Sequence, residues 1–301
     1  MVTLDSRPAL PAVPKSPDDV PGWFWPLDQQ LFSWLLERQT AVGQHGDLLE
    51  MGSYLGRSAI LIGRHRQPGE AFTICDLFDS DAPDGDNAAE MTMSYRETLT
   101  RAAFERNYLA FHAELPTIVQ APTSALAGDV LAPGSCRFAH IDASHLYEHV
   151  AGDIQTARAA LADDGIVVLD DFRSPHTPGV AAATWEAVFD HGLRPICLTP
   201  EKLYGTWADP GTLQGELLQL DGDVDGCNLD IDIIRGHQVL RFSGPGVAKL
   251  MPSGIHRDGR SAAPPRPAGR SAARRLALDL LPPIATRAVR RGLRSARERR
   301  A

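Results

Sequence analysis

Short apolar runs alternate with stretches of helical periodicity along most of the chain. Leu48 to Met51, Phe72 to Cys75, Thr117 to Gln120, Cys136 to Asp142, Gly165 to Asp170, Arg194 to Leu198 and Gln238 to Phe242 have the length and continuous apolar character of buried strands. Ser58 to His65, Ser94 to Phe111, Ser124 to Leu131, Tyr147 to Leu161 and Gly179 to His191 read as helices between them. A further helix is predicted from Asp28, which would cap it, through Ala41, with Leu31, Trp34, Leu35 and Arg38 at helical spacing. Strands that are apolar throughout and joined by helices are covered on both faces. Residues 28–250 therefore read as one doubly wound α/β domain around a mostly parallel sheet.

Three segments break this rhythm. Residues 1–27 are rich in proline and end in Trp23, Phe24 and Trp25, a cluster that either packs on the first helix or closes over a ligand. Pro8, Pro11, Pro14 and Pro17 stand where a signal peptide needs a basic region and an apolar stretch. No apolar run approaches the ~18 residues of a membrane-spanning helix, so a cytoplasmic protein is expected. From Asp76 to Glu90 there are six acids and no base, the composition of a solvated loop or, beside a sheet edge, a lid. Residues 251–301 form a basic tail, in which 257–301 hold 13 arginines against three acids.

The formal charge of −8 is thus an average of an acidic body at −18 and a tail segment at +10. The body does not suit a nucleic-acid binder, whose affinity rests on basic patches facing phosphates. In the tail, Leu276, Leu280, Ile284 and Leu293 interleave with Arg287, Arg290, Arg291 and Arg294. That pattern fits either disorder or a basic amphipathic helix on an anionic membrane surface or an acidic partner, making the protein peripheral at a membrane. The four cysteines are far apart and form no C-x-x-C pair, so buried free thiols are expected rather than disulfides or a zinc site. Asp221, Asp223, Asp225 and Asp232 approach a calcium-loop spacing, but Asn228 breaks it and a polar hairpin is the better account. A homo-oligomer is compatible with all of this.

Glu50-Met51-Gly52-Ser53-Tyr54-Leu55-Gly56-Arg57-Ser58 lies where the first strand passes into a helix. Glycines there let the backbone approach a ligand, and the helix presents unpaired amides and a positive dipole end. Asp76, ending the next strand, is placed to accept hydrogen bonds from ribose hydroxyls. Together they suggest an adenosine-containing cofactor. The spacing is G-x-x-x-G and not the G-x-G-x-x-G of dinucleotide binders, which disfavours a nucleotide-binding oxidoreductase. Glu50 would repel a pyrophosphate but suits an ammonium-bearing ligand. The alternative is a tight turn whose glycines only relieve packing.

The E-x-G-x-x-x-G-x-S turn with an acid ending the next strand resembles class I S-adenosylmethionine-dependent methyltransferases. The resemblance implies a Rossmann-like, mostly parallel seven-stranded sheet with an antiparallel edge strand. It implies that Glu50, Gly52, Ser53 and Gly56 face the methionine part of the cofactor, that Ser58 caps the following helix, and that Asp76 holds the ribose. Thr123 and Ser124, after the third strand, fall where the family has a polar residue near the adenine.

Asp142 ends one strand, and Asp170 and Asp171 end the next parallel one. Ligands of open α/β sheets bind at these carboxyl ends. Three clustered anions need a cation, and hard oxygen ligands select Mg²⁺, Mn²⁺ or Ca²⁺, with Mg²⁺ the default. The alternative is that Asp142 and Asp170 cap the helices that follow. His145, three residues beyond Asp142, is an imidazole, the side chain whose unperturbed pKa of about 6.5 suits a general base at neutral pH. His176, shortly after the Asp pair, reads as a substrate contact or as a solvated loop histidine.

Ile141-Asp-Ala-Ser-His-Leu-Tyr-Glu followed by Leu169-Asp-Asp resembles the branch containing macrocin-type sugar O-methyltransferases, with a layout similar to catechol O-methyltransferase. Ala143 stands where that branch commonly has glycine. The resemblance implies metal ligation by Asp142, Asp170 and Asp171, base catalysis by His145, and methyl transfer to a hydroxyl of a sugar or glycoside. A catechol or phenol as acceptor is the competing expectation, and a non-catalytic binding module that keeps the fold is a third.

Overall fold

Nine strands form one sheet in the order β3-β2-β1-β4-β5-β7-β6-β9-β8. The strands are β1 (Asp47–Met51), β2 (Phe72–Asp76), β3 (Thr117–Gln120), β4 (Cys136–Ile141), β5 (Leu161–Leu169), β6 (Arg194–Leu198), β7 (Leu203–Thr206), β8 (Asn228–Ile234) and β9 (His237–Ser243). They belong to a computed structural model that describes residues 13–82, 85, 86, 99–128, 130–220, 227–244, 246 and 247. The basic tail and residues 83, 84 and 87–90 of the acidic loop lie outside the described residues, as do residues 221–226 of the calcium-like stretch.

The first five strands in this order, β3, β2, β1, β4 and β5, run parallel. β7 then enters antiparallel between β5 and β6, and β6 pairs parallel with β9. The strand count expected from sequence is therefore corrected from seven to nine. Antiparallel pairing occurs inside the sheet at β7 as well as at the β8 edge, where Asn228–Ile234 forms an antiparallel ladder with β9. The polar-hairpin reading of that stretch fits this pairing.

The helices are α1 (Pro26–Ala41), α2 (Arg57–Arg64), α3 (Arg101–Leu109), α4 (Tyr147–Ala160), α5 (Pro178–Asp190) and α6 (Gly211–Gln219). Three local expectations change. Thr123–Leu126 is a single 3-10 turn, since Pro122 supplies its entry and no longer helix follows. α6 was not anticipated. Asp28 does not cap α1, which begins at Pro26 with Trp25 as its N-cap; its side chain is instead buried and accepts a hydrogen bond from the Tyr204 hydroxyl at 2.7 Å.

Alternating residues of each central strand feed two apolar layers. Leu48, Phe72, Phe138 and Val168 pack with α1 and α2 through Phe32, Leu36 and Ile60. Leu49, Ala139, Ile141 and Val167 pack with α4 and α5 through Ile154, Ala157 and Ala183. Val20 and Phe24 join the first layer, so the end of the proline-rich segment is part of the core. All four cysteines are buried thiols outside any disulfide. Among the described residues no helix is long and apolar enough to cross a membrane.

Candidate active site

The carboxyl ends of β1, β2 and β4 open on one cleft of about 540 Å³, whose walls include Gly52, Asp76, Thr123, Ser124, Asp142 and His145. That size suits a small organic ligand. Trp23 reaches the same cleft, with its ring 5.4 Å from that of Tyr54.

The glycine turn is fixed from within. Gly52 has a φ of 79°, and a Cβ there would lie 2.0 Å from the Asp142 carbonyl oxygen. Gly56, at φ 94°, is the N-cap of α2, and a Cβ on it would meet the Phe104 ring at 3.0 Å. Packing and backbone geometry thus account for both glycines, although Gly52 also lines the cleft. The Asp76 carboxylate gathers this turn onto β2: its Oδ2 accepts from the backbone N–H groups of Ser53 at 2.7 Å and Tyr54 at 3.0 Å, and its Oδ1 from that of Phe78 at 2.7 Å. Burial pushes this carboxyl above its ordinary pKa, while the three N–H donors pull the other way.

Two residues of the turn do not sit where expected. Glu50 is completely buried beneath the sheet surface, because along β1 it shares the face of Leu48 and points at α1 and α2. Its Oε1 lies 2.8 Å from Nδ1 of His140, and burial pushes the carboxyl up to about 8. Ser58 does not cap α2; it sits inside that helix with its hydroxyl against Glu50. Thr123 and Ser124 do reach the cleft, on the 3-10 turn, and the Thr123 hydroxyl bonds the buried Asp153 of α4.

The strand-end acids are brought side by side by the ladder. The Asp142 N–H donates to the Met51 carbonyl at 2.8 Å, and the Asp170 N–H to the Ile141 carbonyl at 2.9 Å. Neither acid caps a helix, since the N-caps of α4 and α5 are Leu146 and Thr177. Asp171 has a φ of 55°, a left-handed conformation uncommon outside glycine and typical of residues held for a function. Its Oδ2 lies 2.9 Å from Nε2 of His145, and its Oδ1 accepts from the Ser174 hydroxyl at 2.8 Å. The His176 ring stands 6.0 Å from that of His145. Burial, then Asp170, raise the Asp142 carboxyl well above the ordinary range; Lys202 opposes them.

Lys202 is the residue that sequence reading missed. It lies in the turn between β6 and β7, is 1 % exposed, and forms an ion pair with Asp170 Oδ2. Its Nζ is also 3.2 Å from Nε2 of His140. An ammonium has only hydrogens to offer, so that Nε2 accepts and the Nδ1–H of His140 donates to Glu50. Burial works against the charged lysine, but Asp170, Asp142 and Asp28 outweigh it and push its pKa up to about 12. The only signal in the sequence is a lone base between the apolar runs Ile196 to Leu198 and Leu203 to Tyr204.

Residues 49–172 match the family model described as a methyltransferase domain. No curated protein matches the chain in sequence. Among solved structures, the O-methyltransferase NovP is similar over 60% of this chain and 79% of its own, at 18% identity and a TM-score of 0.48. The calicheamicin methyltransferase CalS11 is similar over 62% and 82%, at 18% identity and a TM-score of 0.45. TomG, an O-methyltransferase of Streptomyces achromogenes involved in tomaymycin synthesis, is similar over 64% and 83%, at 14% identity and a TM-score of 0.43. The matched residues run from β1 to the strand-end acids and enclose the glycine turn, Asp76, Asp142 and His145, so this stretch is similar to a methyltransferase domain.

Proposed function

We propose that the protein is an O-methyltransferase that moves a methyl group from S-adenosylmethionine to a hydroxyl of a sugar or glycoside, with help from a divalent metal and with His145 as general base. The observation that carries this reading is the His145–Asp171 pair at 2.9 Å, beside Asp142 at the mouth of the cleft that Gly52 and Asp76 also line. A carboxylate on one ring nitrogen orients an imidazole and stabilises the cation it becomes on taking a proton. A hydroxyl attacks a sulfonium methyl readily only as its proton leaves, and His145 would receive that proton. The rigid ends of β4 and β5 hold both groups in place, which supplies orientation.

The acids present suit a hard cation. One oxygen of Asp142 and one of Asp171 lie within 4.8 Å of each other and of a His145 nitrogen. Asp142 and Asp171, with Asp170 beside them, would hold Mg²⁺ or a similar ion. Such an ion makes a bound hydroxyl more acidic. The cofactor supplies the methyl group already activated as a sulfonium.

Calorimetry with S-adenosylmethionine and with NAD tests the cofactor: S-adenosylmethionine is expected to bind, and NAD binding in its absence would sink the reading. Release of S-adenosylhomocysteine with a panel of glycosides and catechols then tests the acceptor. Turnover confined to catechols would replace the sugar with a phenolic substrate.

A further inference from the structure

Two sets of ligand-type atoms converge at the ends of β4 and β5, each within 4.8 Å: His140, Asp142 and Asp170 in one, Asp142, His145 and Asp171 in the other. The first set already has a cation. The Lys202 ammonium touches both His140 Nε2 and Asp170 Oδ2, so a divalent ion placed there would face a positive charge at contact distance. In the second set Asp171 is paired with His145, and Asp142, common to both sets, also feels the Lys202 charge.

Lys202 is also fixed in place. Its backbone N–H donates to the Thr199 hydroxyl at 2.9 Å, and the Thr199 N–H donates to its carbonyl at 3.0 Å. Its Nζ stands 5.7 Å from the Phe24 ring centroid and 5.9 Å from that of Phe32, on the faces that attract cations. The same turn grips the segment after β5, because the Phe172 N–H donates to the Glu201 carbonyl at 2.8 Å and the Ser174 hydroxyl oxygen lies 2.9 Å from the Glu201 carboxylate. Swinging the lysine out would leave the buried Asp28 and Asp170 and the half-buried Asp142 without this counter-charge.

We propose that Lys202 is the resident counter-cation of the strand-end acids and withdraws Asp170 from the metal-ligand set, leaving Asp142 and Asp171 as the carboxylates that hold a divalent ion. This rests on the metal-assisted reading above. Lys202 is then a positioning residue: it aligns Asp170 and limits how tightly the site takes a dication, while His145 keeps its place on Asp171.

The test is Mn²⁺ binding to the full-length protein, read by loss of the free-ion paramagnetic resonance signal, without turnover. Lys202→Met removes a positive charge from beside the site and frees Asp170, so Mn²⁺ should bind at least about tenfold more tightly than in wild type. Lys202→Met/Asp170→Asn removes the pair together, keeps the net charge, and should bind within about threefold of wild type. Asp142→Asn and Asp171→Asn should each lose binding. If the single lysine variant does not fold, the paired variant decides. Loss of Mn²⁺ in the paired variant, with binding intact in wild type, would overturn the role of Lys202 and leave the metal reading standing. No Mn²⁺ binding in wild type would overturn both.

Discussion

Asp171 combines a backbone conformation that resists most side chains with two polar contacts, to His145 and to Ser174. Asparagine tolerates the left-handed region nearly as well as glycine, so Asp171→Asn changes charge without forcing the chain. The variant should keep its melting temperature within a few degrees while losing about 10²-fold or more in turnover, the scale on which a general base contributes. Turnover within a few-fold of wild type would remove the His145–Asp171 pair from the chemistry. The acids were legible in the sequence because they end apolar runs, and the histidine because it follows Asp142 by three residues. Lys202 was not, since the charges it meets come from α1, β4 and the end of β5, which are far apart in sequence. Glu50 misled for a related reason: its place in the motif is readable, but the face of β1 on which it falls depends on register, and that face is closed by α1 and α2.

At the scale of elements, the turn after β1 and the turn after β4 are interlocked, and Gly52 is the point of contact. A Cβ at that position would fall 2.0 Å from the Asp142 carbonyl oxygen, and that oxygen belongs to backbone that cannot move aside without breaking the bond from the Asp142 N–H to Met51. Gly52→Ala should therefore cost more than about 2 kcal/mol, combining overpacking with a positive φ, and should weaken cofactor binding with it. Thermal melting and calorimetry check this, and an unchanged melting temperature would show that the two turns are not coupled as described. The alternation of strand and helix from β1 to β5 was readable because each strand there carries a short apolar run, such as Leu48–Leu49, Ile74–Cys75, Ile118–Val119 and Ile166–Leu169. β7 was not, because Leu203–Thr206 is four residues long and follows Lys202 directly. β8 escaped because an edge strand with Asp230 and Asp232 lacks the continuous apolar character of an inner one, its acids being paired with Arg241.

The molecule as a whole carries an excess of acid, and part of that excess is folded inside it. Asp28 and Asp153 are buried with carboxyl groups pushed by burial up to about 6, and Glu50 up to about 8. For each of them the folded state holds its proton to a higher pH than the unfolded chain does. The stability this contributes is complete below the ordinary carboxyl range and is lost as pH rises through the folded value. The body should thus be most stable on the acidic side of neutrality and weaken as pH rises from about 4 to about 8. Asp153 isolates the effect, since one of its oxygens is buried with no hydrogen-bond partner. Asp153→Asn keeps the shape and removes the titration. Relative to wild type, the variant should gain about 2–3 kcal/mol between pH 4 and pH 8, the worth of a shift of about two pKa units. Denaturant unfolding at both pH values measures that gap, and a gap that stays constant with pH would mean that Asp153 is ionised in the folded protein and held by a partner cation.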